Sequence, residues 1–204
     1  MESSKEKVSY CIGLETAKNL RNQFTDMDEK LLLEGFKDGV CDNNPQLAEE
    51  EIRNLMNILK RQIENQQKQF VSQIAKDNKE QGEKFLNMNK EKNDVVVTSS
   101  GLQYRILKKG QGPVPTMFDV VSVHYKGSSI ENQVFESTYE TNNPAVFPVN
   151  KVIQGWAEAL QMMPVGSKWE IYIPSYLAYG ELGYGNAIGP NMALVFEMEL
   201  LGIN

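Results

Sequence analysis

The chain has 204 residues, 41 % of them apolar and 24 % charged, ordinary values for a globular protein with room for one substantial domain or two small ones. Its net charge of −6 argues against non-specific nucleic-acid binding, and no apolar run approaches the roughly 20 residues of a membrane span. The start, MESSKEKVSY, lacks the apolar core of a secretory signal, so a cytoplasmic location is expected, with the periplasm or cell surface as the alternative if a signal has been removed. Charge then divides the chain. Residues 1–93 hold 15 Lys/Arg and 17 Asp/Glu, against 6 and 10 in residues 94–204, where most of the glycine, proline and aromatic residues lie.

In chain order, Val8–Phe24 and Asp28–Val40 read as two short helices, with Ile12, Leu20 and Phe24, then Leu32, Leu33, Phe36 and Val40 at roughly helical spacing. Pro45 can open a third, because its missing N–H costs nothing in a first turn, and Glu49, Glu50 and Glu51 near that start suit the helix dipole. No proline follows until Pro113, so the polar run to about Lys92 reads as one helix of about 45 residues, with Gly82 its only weak point. Ile52, Met56, Leu59, Ile63, Phe70, Ile74, Phe85 and Met88 form its single apolar stripe. The stripe thins at Lys76-Asp77-Asn78-Lys79-Glu80, which reads as a solvated face. So little apolar surface cannot make a monomeric core, and the helix reads as a stalk whose N-terminal part packs with helices of a partner chain; the alternative is an ordinary helix folded against the C-terminal domain of its own chain. The expected division is a helical dimerisation domain over 1–44, a stalk over 45–93 and a third domain over 94–204.

The last part reads as strands: Val95–Thr98, Gly101–Lys108, Val120–Lys126, Val134–Ser137, Ala145–Pro148, Ser167–Ile173 and Ala193–Leu201. One helical stretch, Lys151–Met162, carries Val152, Ile153, Trp156 and Leu160 on one face. The class is α+β, a mostly antiparallel sheet wrapped over a short helix.

Nucleophilic and metal chemistry find little material. The only histidine, His124, sits in a strand pattern and reads as structural or as a surface residue. Cys11 and Cys41 lack metal-ligand spacing and read as buried, reduced thiols. Gly180-Glu-Leu-Gly-Tyr-Gly185 does not match a nucleotide-binding fingerprint and reads as a flexible loop. No cofactor and no metal are expected. What remains is a set of aromatic residues beside turns: Tyr125, Phe135, Trp156, Tyr179 and Phe196.

Five strings set those aromatics in a pattern: Val123-His-Tyr-Lys-Gly127, Val134-Phe-Glu-Ser-Thr138, Val152-Ile-Gln-Gly-Trp156, Leu177-Ala-Tyr-Gly180 and Leu194-Val-Phe-Glu197. Together they resemble the FKBP family of peptidyl-prolyl cis-trans isomerases. Val8-Ser-Tyr-Cys-Ile-Gly13, Gly82-Glu-Lys-Phe-Leu86, Ser100-Gly-Leu-Gln-Tyr104, Phe147-Pro-Val149 and Met163-Pro-Val-Gly-Ser-Lys-Trp169 are similar to its Mip-like (macrophage infectivity potentiator) branch. The resemblance implies a V-shaped homodimer joined by the N-terminal helices. Its partners would be proline-containing peptides, unfolded proteins and macrolide inhibitors. It also implies the site: Trp156 as the floor under the proline ring; Tyr125, Phe135, Val152, Ile153 and Phe196 as walls; Tyr179 and the Ile153 N–H as donors to substrate carbonyls; and Ile188 overhanging. Two positions depart from the family pattern. Glu136 stands where most members carry Asp, and one methylene moves a carboxylate by roughly 1.5 Å, enough to slow turnover. Ala145 stands where some members place an aromatic wall. The alternative to an active isomerase is an FKBP-fold chaperone or binding module with low activity.

Overall fold

A computed structural model describes residues 3–24 and 26–204, which fall into two compact units, Met1–Ile63 and Glu64–Asn204. Helix α1 spans Ser4–Gln23 and α2 spans Glu29–Cys41. The Ser3 hydroxyl accepts from the Glu6 N–H at 3.2 Å while the Glu6 carboxylate accepts from the Ser3 N–H, so α1 starts four residues before the apolar spacing predicts. Asp28 caps α2 by accepting from the Leu31 N–H at 3.0 Å, and Asp42, at φ 55°, ends it in the left-handed conformation.

Helix α3 runs Glu49–Asn89, 41 residues, about 60 Å at 1.5 Å per residue. Pro45 lies outside it. Starting at Glu49 puts Glu49, Glu50 and Glu51 in the first turn, where the helix dipole favours them; a start at Pro45 would have carried them past it. Residues of α3 up to Ile63 belong to the first unit and those from Glu64 to the second.

No described residue of the first unit is buried. Cys11 and Cys41, expected in a core, are free and exposed. The physical reason is that these helices enclose no interior within one chain: Ile12 is 62 % exposed and Phe36 49 %.

The second unit contains the core. Its strands are β1 (Val96–Val97), β2 (Gln103–Lys108), β3 (Val120–Ser129), β4 (Val134–Ser137), β5 (Ala145–Pro148), β6 (Lys168–Ile173) and β7 (Leu194–Ile203). They form one antiparallel sheet in the order β1-β2-β6-β7-β3-β4, with β5 also paired to β3. The long strands alternate as a half-buried sheet should: Val121, Val123 and Tyr125 on β3, and Phe196, Met198 and Leu200 on β7, point into the core. Against this face packs α4 (Gln154–Leu160), with Trp156, Ala157, Ala159 and Leu160 buried. The helical stretch expected from Lys151 is in fact two elements, a 3-10 turn at Val149–Lys151 and then α4.

The end of α3 is part of this unit. Gly82 is buried, and a Cβ there would come within 3.0 Å of the Ala193 methyl, so the glycine allows close approach rather than weakening the helix. Phe85 lies 6.0 Å from Tyr172 between ring centres, and buried Asn89 donates to Gln103 Oε1 at 3.0 Å. Met88, expected on the apolar stripe, is exposed; the packed face is Gly82, Phe85, Leu86 and Asn89, one helical row. Among the described residues no helix is long and apolar enough to cross a membrane.

Candidate active site

Seven segments of the second unit meet at one cavity of about 400 Å³. Strand β3 supplies Tyr125. Strand β4, paired to β3 so that Glu136 faces Gly127, supplies Phe135 and Glu136. Strand β5 supplies Phe147, and the 3-10 turn and the link to α4 supply Lys151, Val152 and Ile153. Trp156 comes from the first turn of α4, Phe196 from β7, and Tyr179 and Tyr184 from the segment between β6 and β7.

Trp156 is the hub. It is 5 % exposed and takes edge-on contacts from Tyr125 at 4.8 Å, Phe196 at 5.2 Å and Phe147 at 5.9 Å between ring centres. Phe135 meets Phe196 edge-on at 5.8 Å. Such pairs are favoured by the ring quadrupole and hold the walls in fixed orientations. Gly127 makes the arrangement possible, because a Cβ there would come within about 2.6 Å of both Phe135 and Phe196. The start of α4 completes the rim. Ile153 is its N-cap residue, accepts from the Trp156 N–H at 3.0 Å, and has no backbone acceptor for its own N–H among the described residues.

The polar groups are few. Burial raises the Tyr125 phenol above its ordinary value; the Glu136 carboxylate raises it further by accepting its hydrogen bond and by its charge. Burial also raises Tyr179, with the Glu136 charge and Tyr184 adding to it. Both phenols are therefore neutral hydrogen-bond donors at neutral pH. The Tyr179 ring stacks on Tyr184 at 4.9 Å.

The structure thus gathers Tyr125, Phe135, Glu136, Val152, Ile153, Trp156, Tyr179 and Phe196 around one cavity. Two expected residues do not line it. Ile188 is buried in the core and exchanges backbone hydrogen bonds with Tyr184, at 2.8 and 3.2 Å. Ala145 shares the inward face of β5 with Phe147, but its single methyl leaves the wall to the larger ring. Sequence reasoning missed Phe147, Lys151 and Tyr184 as lining residues. Alternation along β5 could have found Phe147; nothing in a glycine-rich segment marks Tyr184. His124 lies outside the cavity: its Nδ1 is 3.0 Å from Thr138 Oγ1, and its ring stacks on Tyr139 at 5.1 Å. No cluster of metal-ligating side chains occurs among the described residues.

Two family profiles match the chain. The one described as the domain amino terminal to FKBP-type peptidyl-prolyl isomerase covers residues 5–106, and the one described as FKBP-type peptidyl-prolyl cis-trans isomerase covers 112–201. The chain is 39 % identical to the outer membrane protein MIP of Legionella longbeachae, over 100 % of this chain and 87 % of that protein. It is 41 % identical to the FKBP-type 22 kDa peptidyl-prolyl cis-trans isomerase of Escherichia coli K12, over 97 % and 94 %. Among solved structures, FkpA from Escherichia coli superposes with a TM-score of 0.80 at 28 % identity, covering 100 % of this chain and 98 % of that one.

Proposed function

The chain belongs to the FKBP-type peptidyl-prolyl cis-trans isomerases, and from that premise we propose that it turns X–Pro bonds in the aromatic cavity around Trp156. Rotation about such a bond has a barrier of roughly 20 kcal/mol, because resonance stiffens the C–N bond. Twisting localises the nitrogen lone pair and makes the amide less polar. A dry aromatic cage therefore accommodates the twisted state better than the planar one, whereas water favours the planar one. Each 1.36 kcal/mol of that difference gives about tenfold in rate, and no nucleophile is required.

In this reading Trp156 lies under the proline ring, with Tyr125, Phe135, Val152, Phe147 and Phe196 as walls. The Tyr179 hydroxyl and the Ile153 N–H donate to the carbonyls that flank the bond. Support comes from the raised Tyr179 phenol, which keeps its proton, and from the unengaged Ile153 amide at the α4 cap. Glu136 lines the cavity with Tyr125 and favours its protonated phenol. The observation that carries the reading is the edge-on packing of three rings against one buried indole. A proline-peptide isomerisation assay tests it. Turnover should be fast and should be blocked by a macrolide ligand of the family, with the block lost in a folded Trp156→Leu variant. Full inhibition of that variant would place the macrolide and the substrate elsewhere.

The first unit supports a second element of the proposal, a homodimer that holds unfolded clients. Two helices and the first part of α3, which up to Ile63 bury no described residue within one chain yet expose Ile12, Leu33 and Phe36, gain a core when a second copy covers them. Two linked pockets would then hold one unfolded chain more tightly than either alone.

A further inference from the structure

The segment from Gly180 to Asn191 carries Tyr184 to the cavity; its two ends are fastened to each other, and the Pro190–Asn191 end is fastened to α3. The Asn191 N–H donates to the Gly180 carbonyl at 2.8 Å, one residue beyond Tyr179. Asn78, on α3, donates from Nδ2 to the Pro190 carbonyl at 2.8 Å, and Asn191 Nδ2 donates back to the Ala75 carbonyl at 3.3 Å. Between these ends Tyr184 and Ile188 pair through their backbones, and Tyr184 stacks on Tyr179. Tyr184 itself is 66 % exposed, so packing alone does not hold its ring. Asn191 sits at φ 56°, a left-handed conformation in which asparagine is tolerated better than most residues, and that backbone aims its amide at the helix.

We infer that Asn78 and Asn191 are positioning residues for the isomerase reaction: two side-chain amides through which α3 holds the Gly180–Asn191 segment, and with it the Tyr179–Tyr184 face of the cavity, in its working position. The inference rests on the reading of the aromatic cavity as the catalytic site. It also gives a role to Asn78 in a helix stretch whose composition reads as plain solvated surface. Neither amide touches the cavity, so each acts only through the segment it fastens.

The test uses the full chain and a series of Xaa-Pro peptides. Asn78→Leu removes the donor at similar size, and Asn191→Gly removes the other donor while keeping the left-handed backbone. Each is expected to lower kcat/KM by about three- to tenfold, the effect of one net hydrogen bond. Introduced into Tyr184→Ala, which removes the ring being held, either change should cost much less than it does alone. Thermal unfolding, measured alongside, should shift by the same amount in both backgrounds. Wild-type kcat/KM in both asparagine variants, or losses that simply multiply with that of Tyr184→Ala, would overturn the inference. Wild-type turnover in Tyr184→Ala alone would instead remove this face from the site and take the positioning role with it.

Discussion

The two units solve the problem of stability in opposite ways. From Glu64 onward the chain encloses its own core: Leu102, Val121, Leu160, Met163, Ile171, Met198 and Leu200 are shut from solvent, and the pocket is an opening in that core. Up to Ile63 the chain forms two capped helices and the first part of a third, with exposed apolar residues but no interior. Secondary structure is therefore not evidence of a stable unit. Isolated helices of this length are marginal in water, and most helical stability comes from covering an apolar face. The difference teaches where each function can reside. Chemistry that needs fixed walls fits the unit with a core, and the proposed assembly fits the unit that lacks one.

The largest expected effect is at the hub of the pocket. Trp156→Leu keeps an apolar floor but removes three edge-on contacts, and peptide turnover should fall at least tenfold in a folded protein, checked by isomerisation kinetics and circular dichroism. Unchanged turnover would detach the aromatic cage from catalysis. Second in size is the boundary between the two regions. A chain cut to residues 64–204 keeps Gly82, Phe85, Leu86 and Asn89 on the sheet, whereas one cut to 95–204 loses them. Both should be monomeric and isomerise short peptides, but the shorter should be less stable to urea by about 3 kcal/mol or more, the cost of losing a packed aromatic and its neighbours. Equal midpoints would mean that α3 adds nothing to the core.

Glu136 sharpens the account inside the pocket. From sequence alone, the longer side chain in place of Asp suggests that shortening it would speed turnover. The structure points to the opposite sign, because Glu136 lines the cavity with Tyr125 and favours its protonated phenol. Glu136→Asp should withdraw the acceptor and slow peptide turnover by about two- to fivefold, of the order of one net hydrogen bond. A faster Asp variant would restore the argument from reach. The smallest effect is one of pH. Burial raises both pocket phenols, so each binds its proton more tightly in the folded than in the unfolded chain. Their contribution to stability is complete below the ordinary tyrosine value of about 10 and is lost only as pH rises beyond it. Turnover should therefore be flat from about pH 6 to about pH 9, and a step in that range would point to a different titrating group.

Much of this was legible in the residues. Strands β4 and β5 match the alternating runs that predict them, and β3 and β7 carry the period of two that marks a half-buried sheet. The motif strings identified eight of the ten expected site residues as neighbours of one cavity. What was not legible depended on partners distant in the chain. Gly82 reads as a flaw in a helix until Ala193 is beside it, and Asn78 reads as solvated until Pro190 is. Cys11 and Cys41 were expected inside because cysteine usually is, but a unit with no interior has nowhere to put them. Ile188 was placed over the pocket by the resemblance; its side chain is buried in the same cluster as Tyr125, Trp156 and Phe196, and its backbone pairs with Tyr184.

In the proposed division of labour, the region without a core is completed by a second copy while the region with one works alone. Sedimentation equilibrium on the full chain and on residues 64–204, over the same range of protein concentration, tests it most directly. The full protein should sediment at twice the 23.1 kDa chain mass, and residues 64–204 at the mass of a single cut chain. A full chain that sediments as a monomer throughout, or a cut chain that still dimerises, would contradict it.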